Sequence, residues 1–173
     1  MAKFTHLHVH SQYSILDGMA SISQLIEKSV SLGMYNLALT DHGNMFGIKE
    51  FAQEADKYNK NISEKIKENE EKIVKLQEQI AALEPETEER KNAEAEKVGL
   101  EEKVAELKTQ FLKPIFGCEA YVTRITESNP EGDRRLITGK KGDARGYHLI
   151  LLAKNKTGYY ILCQMISKGW TEG

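Results

Sequence analysis

The sequence holds two cysteines, three prolines and one tryptophan in 173 residues. Cys118 and Cys163 form no Cys-x-x-Cys and no paired spacing. That excludes a disulfide framework and a thiolate zinc knuckle, and points to a reduced, cytosolic compartment. Charge of either sign is nearly balanced, at −2 net with a pI near 6.2. No global basic field announces nucleic-acid binding, although a local patch can hide in an average. No apolar run approaches the roughly 20 residues needed to span a membrane. The start, MAKFTHLHVH, has no basic stretch followed by an apolar one, so it does not read as a secretory leader. The expectation is a soluble intracellular protein. What is present is 40% hydrophobic, enough for a core, over about one domain's length.

Aromatic residues are missing between Lys60 and Gln110, where Glu, Lys, Gln and Ala dominate. The chain therefore divides into 1–59, 60–112 and 113–173. The first part reads β-α-β-α. Residues 4–10 alternate as a strand, Ser21 caps a helix over 22–32 that Gly33 ends, residues 37–40 form a buried strand, and Asn44 opens another helix. In the middle part Ile62, Ile66, Ile73, Leu76, Ile80 and Leu83 follow steps of three and four, broken only at Asn69. Residues 84–87 supply a turn. Ala93, Leu100, Val104, Leu107 and Phe111 line a returning helix, interrupted at Lys97. This predicts an antiparallel coiled-coil hairpin inserted between a helix and the next strand, its charged residues forming a solvated stripe. The last part resumes with a strand over 113–122, a polar loop over 123–146, a strand over 147–153 and a helix capped by Asn155. Helices between strands predict an α/β fold with a largely parallel sheet, open or barrel-like.

The chemistry starts from THLHVHSQYSILDG, residues 5–18. A regular strand puts Phe4, His6, His8 and His10 on one face. Imidazoles at i and i+2 reach one ion, or two ions a few ångströms apart. Asp17 follows in the next loop. Thr40-Asp41-His42-Gly43 follows the second strand, Glu119 lies late in the third and His148 early in the fourth. A lone histidine is more often structural than a ligand. Five such residues with Asp17, converging on strand ends, fit the placement of sites in parallel α/β sheets. Mixed histidine and carboxylate ligands suit zinc, manganese or iron. A carboxylate can bridge two ions, and two ions roughly 3.5–4 Å apart clamp both oxygens of an in-line phosphoryl displacement. Phosphoester hydrolysis is the favoured reaction class. Asp41 is expected to orient an imidazole through its N–H.

His8-Val9-His10, Thr40-Asp41-His42-Gly43, Gly117-Cys118-Glu119 and Tyr147-His148-Leu149, in this order, resemble the polymerase and histidinol phosphatase (PHP) superfamily. More narrowly, HLHVHSQYSILDG, LALTDHGNMFGIKEF, KPIFGCEAYV and HLILLAKNKTGYYILCQMISKGWTEG resemble the N-terminal PHP domain of bacterial DNA polymerase III alpha subunits. The resemblance covers almost everything outside residues 60–111. It implies a partial distorted (β/α)7 barrel with two or three divalent ions, zinc or manganese. The implied ligands are His8, His10, Asp17, His42, Glu119 and His148, with Glu119 as bridge and Glu119, His10 and Asp17 closest to the chemistry. His6 has no ligand counterpart. A 3′–5′ exonuclease proofreading a polymerase is the implied activity, with DNA and other replicase subunits as partners.

Two departures from the family pattern qualify this expectation. The helical hairpin is extra, and reads as a surface appendage for an unidentified partner. The family's later metal motifs and the polymerase carboxylates do not occur, so the chain reads as a truncated piece of a larger subunit with weak or no activity by itself. A non-catalytic structural or interaction module, and a stand-alone PHP phosphatase, are the competing readings.

Overall fold

A computed structural model describes residues 4–123, 125, 127, 130, 132 and 147–172. They form an α/β arrangement that divides into two compact units, residues 1–54 with 113–173 and residues 55–112.

In the first unit, α1 (Ile22–Ser31) opens on a reciprocal capping box. The Ser21 hydroxyl accepts from the Gln24 N–H, and the Gln24 side chain accepts from the Ser21 N–H. Gly33, at φ +72°, ends it. Ile22 and Ile26 are its buried apolar positions. β1 (Asn36–Leu39) is buried from Leu37 onward, as its unbroken apolar run requires. β2 (Lys113–Val122) pairs with it in parallel, Asn36 opposite Lys113 and Leu39 opposite Phe116. β3 (Tyr147–Leu152) pairs with β2, giving the order β1-β2-β3. Phe116 packs between Phe51 and Tyr159, with ring centroids 6.1 and 6.4 Å away. The last helix, α4 (Lys156–Thr171), opens on Asn155, whose side chain accepts from the Gly158 N–H.

Two expectations need correction. β3 runs antiparallel to β2, with Gly117 opposite Leu152 and Val122 opposite Tyr147, so the sheet is mixed. A parallel return needs a long crossover, usually a helix, and the sequence between Val122 and Tyr147 carries no helical pattern. The expected 123–146 loop lies mostly outside the described residues. Second, residues 4–10 do not form a regular strand. His6 makes an isolated parallel bridge to Leu37. The His6 carbonyl accepts from the Ala38 N–H at 3.0 Å and the Val9 carbonyl from the Thr40 N–H at 2.9 Å. Three residue steps on one side therefore face two on the other. That extra residue is a bulge-like offset, and it separates His6 from His8 and His10. The division after residue 54 falls inside a helix. α2 (Ile48–Ala82) is one 35-residue helix. It contains neither glycine nor proline, so the change from an aromatic to a Glu/Lys-rich composition does not interrupt it.

In the second unit, α2 meets α3 (Glu88–Lys108) after a turn over 83–87. Thr87 caps α3 by accepting from the Arg90 N–H. Ile62 and Ile66 cluster with Val104 and Leu107, while Ile80 and Gln77 lie beside Glu94 and Lys97, so the two helices run in opposite directions. Asn69, buried in the apolar series, satisfies its amide on the Lys65 carbonyl at 2.7 Å. At the base, the Asn59 side chain donates to the Leu112 carbonyl and accepts from its N–H.

Candidate metal centre

Glu119 is the hub. It lies on β2 and is 2% exposed. An isolated carboxylate does not stay charged in such a position without partners. Its backbone continues the β1–β2 pairing past the end of β1: the Glu119 N–H donates to the Asp41 carbonyl and the Gly43 N–H to the Glu119 carbonyl. Gly43, at φ +67°, turns the chain there, so His42 stands directly beside Glu119. On the other side Tyr121 pairs with His148. Strand alternation places Tyr121 and His148 on the face that carries the Glu119 side chain.

Four of the five histidines converge on this carboxylate. Glu119 Oε2 lies 2.6 Å from His10 Nε2, 3.1 Å from His8 Nε2 and 3.9 Å from His42 Nδ1. Oε1 contacts His148 Nδ1. Oε2 is therefore shared by His8, His10 and, at longer range, His42, while Oε1 serves His148; His8 with His10, and His42 with His148, each form with Glu119 a group that can hold a metal ion. Burial pushes the Glu119 carboxyl up. The hydrogen bonds from His8 and His10 and the charges of His148 and His42 outweigh it and hold the carboxyl below its ordinary range.

Asp17 reaches the cluster through His42. Its Oδ2 accepts from His42 Nδ1 at 2.7 Å. A proton on Nδ1 satisfies that contact and leaves Nε2 as the lone-pair atom. His42 Nε2 is buried and has no hydrogen-bond partner among the described residues. Asp17 itself belongs to neither of the two closed donor groups. His6 stays outside, edge-on to Phe4 at 4.8 Å.

The donor set fits divalent ions on two observations. His8 Nε2 and His10 Nε2 lie 3.1 Å apart and share one carboxylate oxygen. Three lone-pair atoms so close repel unless a proton or cation lies among them. A tetrahedral zinc with bonds of about 2.0–2.1 Å sets neighbouring nitrogens about 3.3 Å apart. The second observation is the orphaned His42 Nε2, an atom with a lone pair and nothing to receive it.

Asp41 does not orient an imidazole. Its buried carboxylate accepts from the Ser11 N–H at 2.7 Å, the Ser11 hydroxyl and the Ser14 hydroxyl. Ser14 Oγ also accepts from the His42 N–H at 2.9 Å. The physical reason is reach: the Ser11–Ser14 turn occupies the space beneath Asp41, so it anchors the loop that presents His10 and Asp17. Gly18 closes that loop, and a Cβ there would meet the Ser11 carbonyl oxygen at 2.5 Å. Tyr121 and Trp170 were not anticipated from the sequence. The Tyr121 ring packs against His42 and His148 at 4.8 Å each, and Trp170 Nε1 donates to the Gly43 carbonyl at 2.9 Å. For Tyr121 the signal existed, because it stands two residues beyond Glu119 on one strand face.

A family model described as "PHP domain" matches residues 6–173. The chain belongs to the PHP family. The PHP match contains the whole cluster around Glu119. Among curated proteins, the DNA polymerase III subunit alpha of Treponema pallidum is 35% identical over 170 residues, covering 98% of this chain and 10% of that protein. The subunit of the same name from Borreliella burgdorferi is 33% identical over 172 residues, with 99% and 10% covered. That of Campylobacter jejuni is 28% identical over 173 residues, with 100% and 9% covered. This PHP chain therefore spans about a tenth of the length of these relatives. No helix among its described residues is long and apolar enough to cross a membrane.

Proposed function

We propose that this PHP chain is the N-terminal part of a replicative DNA polymerase III alpha subunit, and that the cluster around Glu119 is a divalent-metal phosphoesterase site of the 3′–5′ exonuclease type. The observation that carries the reading is the buried Glu119 carboxylate, met by four imidazoles that form with it two groups able to hold a metal ion. The buried structural carboxylate of Asp41 is met by backbone N–H and serine hydroxyls, whereas the side chains around Glu119 are imidazoles, which can ligate a metal.

In this reading His8, His10, Asp17, His42, Glu119 and His148 hold two or three zinc or manganese ions, with Glu119 shared between groups. When bound, such ions supply Lewis-acid activation of water and neutralise charge on phosphoryl oxygens. The chain's own contribution is placement. Asp17 fixes the His42 tautomer, Asp41 with Ser11 and Ser14 holds the loop carrying His10 and Asp17, and the Tyr121 ring backs His42 and His148. The 60–112 hairpin is an inserted coiled-coil arm for a protein partner, and the remaining segments are the start of a distorted (β/α)7 barrel. Within the whole subunit, DNA and other replicase subunits are the partners, in the cytoplasm.

The test is cleavage of a 3′-ended single strand by the polymerase subunit that carries this segment, with manganese or zinc, against Glu119→Ala. Cleavage lost in the variant and with chelator supports the hydrolase. Bound metal with no cleavage would leave the domain a structural module of the polymerase.

A further inference from the structure

Beside the metal centre lies a cavity of about 550 Å³, within the roughly 300–1,000 Å³ range of ligand sites. His42 belongs to both: it lines the cavity, and its Nδ1 lies 3.9 Å from Glu119 Oε2. The remaining walls are of one kind. Tyr121 and Trp170 supply aromatic surfaces, and Met165 and Ile166 on α4 supply a thioether and an aliphatic surface. Among the described lining residues there is no Asp, Glu, Lys or Arg. Trp170 is held here. Its N–H is taken by the Gly43 carbonyl, and its side chain is still 69% exposed. The ring is thus fixed beside the metal-capable donors with much of its surface open.

We propose that this cavity is a base-binding groove. It receives the flat, uncharged base of a nucleotide whose phosphoester lies at the His42–Glu119 side. This rests on the phosphoester reading above and adds the place where the base of the nucleotide is held. The walls suit a planar ring more than a sugar, which needs polar partners for its hydroxyls. Aromatic stacking also tolerates any base, as an enzyme acting on any 3′ end requires. With no hydrogen-bonding side chain beyond those named among the described lining residues, the groove selects a base without selecting which base.

Trp170 is the chain's one tryptophan, so its fluorescence reports the groove directly. The zinc-loaded chain would be titrated with thymidine 5′-monophosphate, deoxyribose 5-phosphate and inorganic phosphate. The same ligands would be followed by calorimetry on Trp170→Leu, which keeps apolar volume and removes the planar face. The expected result is quenching by the nucleotide alone. Its affinity should exceed that of deoxyribose 5-phosphate by about tenfold, the worth of one stacked base, and the advantage should vanish in Trp170→Leu. Equal affinity of nucleotide and sugar phosphate with a silent tryptophan would leave the phosphate site standing and overturn the groove. If no phosphate binds, thymidine itself decides. Quenching by it keeps the groove and drops the phosphoester reading, whereas silence overturns both. A Trp170 already shielded from acrylamide before any nucleotide is added would show the groove filled by protein, and would also overturn the proposal.

Discussion

Glu119 holds its place by charge pairing, so its removal is felt twice. Glu119→Gln keeps the volume and removes the charge that His8, His10, His42 and His148 surround. Stoichiometric metal uptake should be lost, read by metal analysis after dialysis. The metal-free protein carries a pH signature of the same residue. Its folded carboxyl lies below the ordinary value near 4.5, the histidine contacts outweighing burial. This contribution is therefore present above pH 4.5 and is lost as pH falls through the lower, folded value. In a urea midpoint series, Glu119→Gln should show a weaker fall over that acid range than the parent. Asp17→Asn leaves all closed donor atoms in place but weakens the hold on the His42 tautomer. It should cost about 10–100-fold in metal affinity by calorimetry. Cys118 is fully buried, and burial pushes its thiol up to about 11. It should resist alkylation until the protein unfolds.

At the scale of elements, the loop from Ser11 to Gly18 is the part most sensitive to a single methyl group. Gly18→Ala brings a Cβ against backbone atoms of Ser11 and His10, which cannot swing aside. A loss of about 1–3 kcal/mol in denaturant unfolding is expected, together with weaker metal binding. In the hairpin, Asn69 is buried at an apolar position of α2 and bonds only locally to Lys65 among the contacts described. Asn69→Ile should raise the urea midpoint, since a polar residue at such a position trades stability for register. The elements also show what a sequence can and cannot tell. β2 and the caps at Ser21 and Asn155 were legible because alternation and capping chemistry are local. The antiparallel return of β3 was not, because strand direction depends on a connection with no periodic signal. The irregular 4–10 segment was misread for a related reason: a one-residue offset against β1 is set by the partner strand and leaves alternation in the sequence intact.

At the scale of the whole molecule, residues 113 to 148 bring two site residues to a surface that the first 42 residues had begun. Glu119 lies 109 residues from His10 in sequence and 2.6 Å from it in space. The site's composition was legible, because four histidines and two carboxylates in a family order are a chemical pattern. The role of Asp41 was not, since its partners Ser11 and Ser14 carry no pattern of their own. The compact units separate after residues 54 and 112, the first division lying inside α2, which continues through the change of composition near residue 60.

The most direct test of the central claim, that the Glu119 cluster is a metal centre, is a calorimetric titration of the metal-free chain with zinc and manganese, beside Glu119→Gln. A metal centre there requires saturable binding of at least one ion, release of protons on binding, and loss of the signal in the variant. Absence of binding in the parent, or equal binding in the variant, would contradict it and leave Glu119 a structural carboxylate shared among histidines.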